Sequence, residues 1–223
     1  MADRALNEDF DQFVVVRTSK LDWQASPSPN VWRKRLDLSG PVESGRVTSV
    51  VKYELDSAFH SHPHPDGEEI FVLSGIFSDE HGDYPAGSYL LNPAGFEHAP
   101  FSRGGCVLFV KLRQYPGDDR TKVAVNTVLE DWQERAPGFK GLTLYSEAPN
   151  PETVSLVRLE NGAELKVLPE APGAEMFILD GQCDDGHAVY RTGDWLRWPT
   201  QNIRTFKVLE PMTAYLKTGH FPQ

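Results

Sequence analysis

The sequence contains only two cysteines, Cys106 and Cys183, and they form no Cys-x-x-Cys pair. Thioredoxin-like redox sites and zinc ribbons both need closely spaced cysteine pairs, so the sequence excludes both. Cys106 lies in an apolar run, Gly105 to Val110, where a cysteine usually behaves as a small buried hydrophobic residue. We do not expect a disulfide between the two, because disulfides are rare in a reducing compartment.

The chain also lacks a long apolar run. No segment approaches the roughly 20 residues that a membrane-spanning helix needs. The first residues, Met1 to Glu8, contain no apolar segment of the signal-peptide type. We therefore expect a cytoplasmic protein without a membrane partner.

An excess of positive charge is missing as well. Lysine and arginine number 22 against 32 acidic residues, which gives a formal net charge of −10 at pH 7. Nucleic acids are bound by positively charged surfaces, so we do not expect a nucleic acid as a partner. Solubility is the simplest explanation of the acidity.

Turn-forming residues, in contrast, are abundant. The chain has 18 glycines and 17 prolines among 223 residues. Such a composition favours short strands joined by turns over long helices. The length leaves room for one large domain or two ordinary ones.

One stretch of the first half combines alternating histidines with strong turn residues. His60, His62 and His64 would point to one face of a β-strand. A Pro-Asp-Gly turn follows at residues 65–67, and after it come Glu68 and an apolar run. Imidazole and carboxylate groups that converge from adjacent strands suit a divalent metal ion.

The residues alone leave two choices open in this stretch. The imidazole pair is either His62 with His64 or His60 with His62, and we favour the first because it leaves three residues before Glu68. Glu68 and Glu69 face opposite sides of a strand, so only one of them points inward. We favour Glu68, which shares a face with the apolar residues that follow.

A second motif lies at residues 87–98 and ends in a histidine. The two patterns, His-x-His-x3-Glu-x6-Gly and Gly-x5-Pro-x-Gly-x2-His, are met by His62, His64, Glu68, Gly75, Gly87, Pro93, Gly95 and His98. Both patterns resemble the two motifs of the cupin superfamily. The resemblance implies a small β-barrel in which His62, His64, Glu68 and His98 hold one metal ion. His81 lies in a polar turn, and Glu97 is expected at the surface or in an orienting role, so neither is expected to be a ligand.

Within this superfamily, the first half resembles the cupin domain of ChrR-type anti-sigma factors. The resemblance covers residues 15–113 and rests on residues 67–89, 92–93 and 98–102. It implies zinc on the four positions and a role in the response to oxidative stress such as singlet oxygen. Those factors hold their sigma factor through a separate domain with a His-x3-Cys-x2-Cys arrangement. This sequence shows no such arrangement, so we do not expect sigma-factor binding from its residues.

The sequence repeats itself at an offset of 106 residues. Phe71 to Gly75 reads like Phe177 to Gly181. Further landmarks at the same offset are Glu54 with Glu160, Gly87 with Gly193, and Pro93 with Pro199. Several landmarks at one offset indicate a duplicated domain.

The repeat also sets the expected domains. Residues 14–18 resemble residues 123–127, and a Pro/Gly/Asp turn cluster near residues 114–119 separates the halves. We predict one barrel over residues 10–115 and a second over residues 116–223.

Strand signals dominate both halves, so we predict an all-β fold of two tandem cupin (jelly-roll) β-barrels with little helix. The predicted strands are Val47 to Leu55, Glu68 to Leu73, Val107 to Leu112, Thr153 to Leu159, Glu175 to Leu179 and Thr205 to Leu209. The best helix candidate is Thr127 to Arg135.

The metal-binding positions are not repeated. At the offset of 106 the four predicted ligands correspond to Leu168, Glu170, Ala174 and Arg204. One carboxylate without imidazole support holds a transition metal poorly, so we predict a degenerate second barrel without metal ligands. Since that barrel is expected to fold without the histidines, barrel stability is a poor explanation of their presence in the first.

Two functions compete at this point. The first is a regulatory, stress-sensing bicupin of the ChrR type that binds zinc. The second is a metal-dependent enzyme, such as a dioxygenase that acts on a small molecule. The cofactor is a divalent metal ion, zinc first, with iron, manganese or nickel as alternatives. We consider a small-molecule ligand in the first barrel, a protein partner and a homo-oligomer.

Overall fold

The computed structural model describes residues 5–117, 120–167, 173–199 and 203–221. Up to residue 126 the elements are β1 (Val14–Arg17), a short 3-10 helix (Thr18–Lys20), β2 (Gln24–Ala25), β3 (Val31–Ser39), β4 (Arg46–Tyr53), β5 (Ser57–Ala58), β6 (His62–His64), β7 (Glu68–Asp79), β8 (Gly82–Pro85), β9 (Ser88–Asn92), β10 (Phe96–His98), β11 (Phe101–Ser102), β12 (Cys106–Leu112) and β13 (Val123–Asn126). The remaining elements are β14 (Gln133–Ala136), β15 (Phe139–Ser146), β16 (Thr153–Leu159), β17 (Glu164–Val167), β18 (Ala174–Asp184), β19 (Val189–Arg191), β20 (Asp194–Trp198) and β21 (Arg204–Thr218).

Antiparallel strands account for nearly all of the regular secondary structure, which confirms the all-β prediction of two tandem jelly rolls. Each predicted strand is present, and β7, β18 and β21 run further than the sequence predicted. No helix within the described ranges is long and apolar enough to cross a lipid bilayer.

The first compact unit comprises residues 1–8 and 21–129. Its main sheet has the strand order β13-β9-β7-β12-β4-β3-β2, and β6 pairs with β10 in a separate small sheet. The core of this unit is formed by alternate residues of the strands, Val31, Tyr53, Ile70, Val72, Phe77, Leu90, Cys106, Leu108 and Val110. Strand alternation therefore gives this barrel an apolar interior.

The second unit comprises residues 9–20 and 130–223. Its sheet has the order β1-β20-β18-β21-β16-β15-β14. Its buried apolar cluster includes five fully buried side chains, Met176, Ile178, Leu196, Trp198 and Phe206. Large apolar side chains therefore pack against one another inside this barrel.

The compact units depart from the predicted ranges 10–115 and 116–223 at their edges. Strand β1 comes from the first repeat but pairs with β20, and β13 comes from the second repeat but pairs with β9. The two pairings have the same register: Val14 faces Arg197, and Val123 faces Leu91. Each repeat therefore contributes its first strand to the barrel formed by the other.

Two threonines follow these exchanged strands and make the same hydrogen bond. Thr18 Oγ1 donates to the carbonyl of Gly193 (2.7 Å), and Thr127 Oγ1 donates to the carbonyl of Gly87 (2.6 Å). The repeat detected in the sequence thus includes these contacts as well as the strand patterns.

Two glycines that mark the repeat lie in long strands close to register shifts. Gly75 has φ 75° and Gly181 has φ 87°. A Cβ on Gly75 would lie 2.2 Å from the carbonyl oxygen of Gly105, and a Cβ on Gly181 would lie 2.2 Å from that of Pro211. Only glycine satisfies both the positive φ and the close backbone approach.

The predicted helix from Thr127 to Arg135 is wrong. Residues 127–130 form turns and bends, residues 131–132 are irregular, and β14 follows them and pairs with β15. Val128 and Leu129 are 73% and 79% exposed, so the segment has no apolar face to bury in a helix. The Asn126 side chain instead accepts a hydrogen bond from the backbone N–H of Val128 (3.2 Å), which favours a turn.

Both cysteines are free and buried. Burial raises the pKa of Cys106 to about 11, and burial together with Asp185 raises the pKa of Cys183 to about 12. At about pH 8 fewer than roughly one in a hundred such thiols is ionised, and the thiolate is the reactive form. We expect native protein to react with Ellman's reagent at least about a hundredfold more slowly than urea-unfolded protein, which should release two equivalents per chain. Rapid reaction of one thiol in native protein would contradict this burial.

Candidate metal centre

The small sheet of β6 and β10 brings three histidines together. His62 lies opposite His98 in the antiparallel register, and His64 lies opposite Phe96. The donor atoms of His62, His64 and His98 all lie within 4.8 Å of one another. His64 and His98 are buried, whereas His62 is partly exposed.

Glu68 adds a carboxylate to this histidine cluster at the start of β7. Its Oε2 atom lies 3.4 Å from His98 Nε2 and 3.6 Å from His64 Nε2. Asn92, its register partner on β9, donates a hydrogen bond from Nδ2 to the same oxygen (3.0 Å). Burial raises the pKa of Glu68, while His98 and the Asn92 hydrogen bond oppose that rise.

The ring nitrogens are arranged so that lone pairs point to one place. Nδ1 of His62 donates to the carbonyl of His60 (2.9 Å), and Nδ1 of His98 donates to Asp79 Oδ2 (3.2 Å). Carbonyl and carboxylate oxygens accept hydrogen bonds, so in the neutral tautomer that these contacts favour, the lone pair of each ring is on Nε2. Burial, and then the charges of His62 and Arg113, lower the pKa of His64 to about 4, which keeps this imidazole neutral at physiological pH.

These distances fit a bound cation. The Nε2 atoms of His64 and His98 are 3.0 Å apart, and both approach the same oxygen of Glu68. Donors at about 2.0–2.2 Å from one tetrahedral ion are about 3.3–3.6 Å from each other. The distances from Glu68 to His98 (3.4 Å) and to His64 (3.6 Å) match this range, and the distance between the two histidines is slightly shorter. Lone pairs repel at this separation unless a proton or a cation lies between them, so the donor set suits a divalent metal.

The structure therefore brings together the four side chains that the motifs selected, and their role as ligands remains our prediction. His60 and His81 are exposed, and Glu97 is exposed and accepts a hydrogen bond from Ser61 (2.8 Å). Glu69 lies next to Glu68 on β7 and is aligned with Lys111 in the sheet. Within the second barrel, Ala174 and Arg204 are described, whereas Leu168 and Glu170 lie outside the described residues.

Asp79, at the end of β7, is a site residue that the sequence analysis did not select. Its side chain is 2% exposed. Its Oδ1 accepts hydrogen bonds from the backbone N–H groups of His81 (2.8 Å) and Gly82 (3.2 Å) and from the Tyr84 hydroxyl (3.3 Å). Its Oδ2 accepts from His98, so Asp79 fixes the orientation and the tautomer of that ring.

The repeat could have identified Asp79. At the offset of 106 it corresponds to Asp185, and Tyr84 corresponds to Tyr190. Asp185 also accepts from the tyrosine hydroxyl (3.0 Å), and it pairs with Arg204 at 2.6 Å. The second barrel has thus kept the carboxylate anchor, and an arginine has replaced the histidine that it holds.

We expect Asp79→Asn to weaken metal binding about 10- to 100-fold. The amide oxygen would stay with the backbone N–H groups, so the amide nitrogen would face His98. That ring would then carry its proton on Nε2, where the lone pair is needed. Competition with a metallochromic chelator measures the effect, and Asp185→Asn is the matched control, for which we expect unchanged affinity. Equal affinity of the Asp79→Asn variant and the parent protein would exclude this role.

A cavity of about 220 Å³ opens beside the histidine cluster, inside the first barrel. Its wall includes His62, His64 and Glu68. Apolar side chains such as Ile70, Leu108 and Val110 form much of the remainder. Space next to the donors leaves room for a small molecule beside a bound metal ion.

Solved structures with the same fold include metal-containing and ligand-bound proteins. Ylba from E. coli has a TM-score of 0.73 at 16% identity and covers 100% of this chain and 96% of its own. The E. coli pirin YhhW, solved with nickel(II), has a TM-score of 0.70 at 12% identity and covers 92% and 98%. A mutant salicylate 1,2-dioxygenase from Pseudoaminobacter salicylatoxidans, solved with gentisate, has a TM-score of 0.68 at 12% identity and covers 96% and 83%. At such identities the likeness shows the fold alone.

Sequence comparison identifies the family. A search of curated proteins finds no match for this chain. The family model described as the ChrR cupin-like domain matches it twice, at residues 11–116 and 120–222. The two matches correspond to the two repeats and together span nearly the whole chain. The chain therefore belongs to the ChrR cupin-like domain family, as a protein with two cupin repeats.

Proposed function

We propose that the first barrel is a metal-dependent active site in which His62, His64, Glu68 and His98 hold a divalent ion and a small molecule binds beside it. The observation that carries this proposal is the cavity next to the donor set. Structural metal sites are closed, whereas catalytic sites keep an open position. The cavity beside the donors leaves room for such an open position, which supports the proposal of a metal-dependent enzyme, for example a dioxygenase.

The protein's own groups would prepare this site in three ways. Asp79 holds His98 in one tautomer, and Asn92 holds the Glu68 carboxylate. The apolar part of the cavity wall would limit the contact of the metal with water and so strengthen electrostatic interactions there. When bound, the metal would supply Lewis-acid activation of an oxygen-bearing substrate or a binding site for dioxygen.

Zinc remains the first metal that we propose, with iron, manganese and nickel as alternatives. Three imidazoles and one carboxylate suit all four ions, so availability and geometry decide between them. The nickel-bound pirin has the same fold, which supports a divalent ion without selecting one.

A regulatory, stress-sensing role is the second candidate. The match of both repeats to the ChrR cupin-like domain supports it. In such a protein the cavity would hold a signal molecule, and its occupancy would change a surface recognised by a protein partner.

Elemental analysis of anaerobically purified protein, followed by oxygen-uptake measurements, distinguishes the two candidates. Stoichiometric iron or manganese, with oxygen consumption when small organic substrates are added, would support the enzyme. Tightly bound zinc without turnover would support the regulator. Protein that takes up none of these ions at micromolar concentration would overturn the metal site itself.

A further inference from the structure

Two arginines point into the cavity of the first barrel from β3. Arg33 and Arg35 alternate with outward-facing residues, and both line the cavity together with Val31. In the register they lie opposite Val51 and Ser49 of β4, which also line it. Charged groups inside a barrel are costly unless they have a charged partner.

Glu43 provides that partner from the turn between β3 and β4. Its carboxylate accepts hydrogen bonds from Arg33, including Nη1 to Oε2 at 3.1 Å, and lies 3.4 Å from Arg35 Nη2. The hydrogen bond from Arg33 helps to lower the pKa of Glu43. Its side chain is 56% exposed, whereas those of Arg33 and Arg35 are 19% and 10% exposed. Solvent and solutes can therefore reach the carboxylate of Glu43 more easily than the two arginine side chains.

The turn that carries Glu43 is held over the cavity by a third arginine. Arg113 donates from Nη2 to the carbonyl of Glu43 (2.7 Å) and from Nη1 to that of Gly45 (3.3 Å). Arg33 keeps unused hydrogen-bonding capacity, because its buried Nε makes no hydrogen bond to any residue that the structure describes. Arg33 is thus occupied without being saturated by protein groups, whereas Arg35 also donates from Nη1 to Gln24 Oε1 (3.0 Å).

The second barrel shows that these arginines are not needed for folding. In its register Gly141 lies opposite Val157 and Thr143 lies opposite Ser155, which are the positions of Arg33 and Arg35 in the first barrel. The same strands carry a bulge at the same point in both barrels. The barrel without the histidine cluster therefore also lacks the arginine pair, which links the pair to the site.

We propose that Arg33 and Arg35 bind the carboxylate of a small organic acid, and that Glu43 occupies their position until the acid displaces it. The rest of the acid extends along the apolar wall toward the histidine cluster. The placement of the far end of the acid beside the histidine cluster rests on the proposed function. The binding of its carboxylate by the two arginines does not. A cavity of about 220 Å³ is below the range of drug-sized sites and fits a small acid.

Calorimetric titration of the full-length protein with matched carboxylates and amides tests this proposal. The probes are unbranched acids from acetate to octanoate and benzoate, each with its amide. We expect at least one acid to bind about tenfold or more tightly than its amide, because charge-assisted bonds to arginine are stronger than neutral ones. The double change Arg33→Gln with Arg35→Gln should remove this preference, and Glu43→Gln should tighten acid binding about threefold by removing the competing anion.

Lys34→Gln is the matched control. It removes one positive charge from the same strand, but its ammonium group lies 4.6 Å from the ring centre of Trp23 and does not line the cavity among the described residues. We expect this variant to keep the preference for acids. Thermal unfolding of each variant would show whether the barrel remains intact.

Each titration is repeated on chelator-treated protein, so that this proposal and the proposed function can fail separately. The chelator-treated protein is then offered metal again. If it binds acids more tightly than amides but takes up no metal, the proposal for the arginine pair is supported and the metal site is wrong. If the metal binds but no acid exceeds its amide, or the arginine variants keep the preference, the arginine proposal is wrong.

Discussion

Replacing His62 and His98 by alanine will abolish metal binding. A four-donor zinc site in a protein contributes about 10–16 kcal/mol of binding free energy, so roughly 3 kcal/mol belongs to each donor. Removal of two donors should weaken binding by more than about a thousandfold. Metal content after dialysis against a weak chelator measures this loss.

The matched control removes two other histidines of the same region, His60 and His81. Both are exposed, and His60 contributes only its backbone carbonyl to the orientation of His62. We expect this double variant to retain its metal. The near-ultraviolet circular dichroism of the protein, to which the fully buried Trp195 and Trp198 of the second unit contribute, should be unchanged in either variant. Retention of metal by the His62→Ala, His98→Ala protein would refute the ligand assignment.

The residues of the site that belong to the two motifs could be predicted from the sequence. Spacing on a strand placed His62 and His64 on one face, and the turn residues placed Glu68 on the next strand beside them. Asp79 was missed because it stands among polar turn residues, and the matching Asp185 and Tyr190 of the second repeat were not used to select it. Arg33 and Arg35 were missed for a related reason. In a sequence, charged residues that point into a barrel cannot be distinguished from charged residues on the exposed face of a strand.

Replacing Gly181 by alanine will strongly destabilise the second barrel. The new Cβ would meet the carbonyl oxygen of Pro211 at 2.2 Å and the Cα atom of Met212 at 2.8 Å. These are backbone atoms of the paired strand, so no rotamer change relieves the clash. The left-handed conformation costs about 1–2 kcal/mol and the overpacking about 1–3 kcal/mol, so we expect a loss of about 2–5 kcal/mol in the free energy of unfolding. Urea unfolding followed by tryptophan fluorescence provides the measurement.

Gly162→Ala separates the two contributions. Gly162 has φ 81°, and a Cβ placed there meets nothing within 4 Å. It should show only the conformational cost of about 1–2 kcal/mol. If the two alanine variants unfold at the same urea concentration, the steric argument fails.

Much of the fold was also within reach of the sequence, because β-branched runs and turn clusters define strands locally. The strand with which the first strand of each repeat pairs could not be predicted from the sequence. Residues 14–18 and 123–127 have nearly the same pattern, so the sequence does not show which of the two barrels each segment joins. The helix expected at residues 127–135 failed for a similar reason, because exposure of Val128 and Leu129 becomes visible only in the folded chain.

The crossed pairing of β1 and β13 has a consequence for the size of the smallest stable piece. A polypeptide cut between the repeats would carry the wrong first strand for its own barrel, and the edge of β9 or β20 would be left open to other chains. A molecule with a single repeat could close that edge only by exchanging its leading segment with a second copy. Covalent duplication turns this exchange into an intramolecular event, so barrel closure no longer depends on protein concentration.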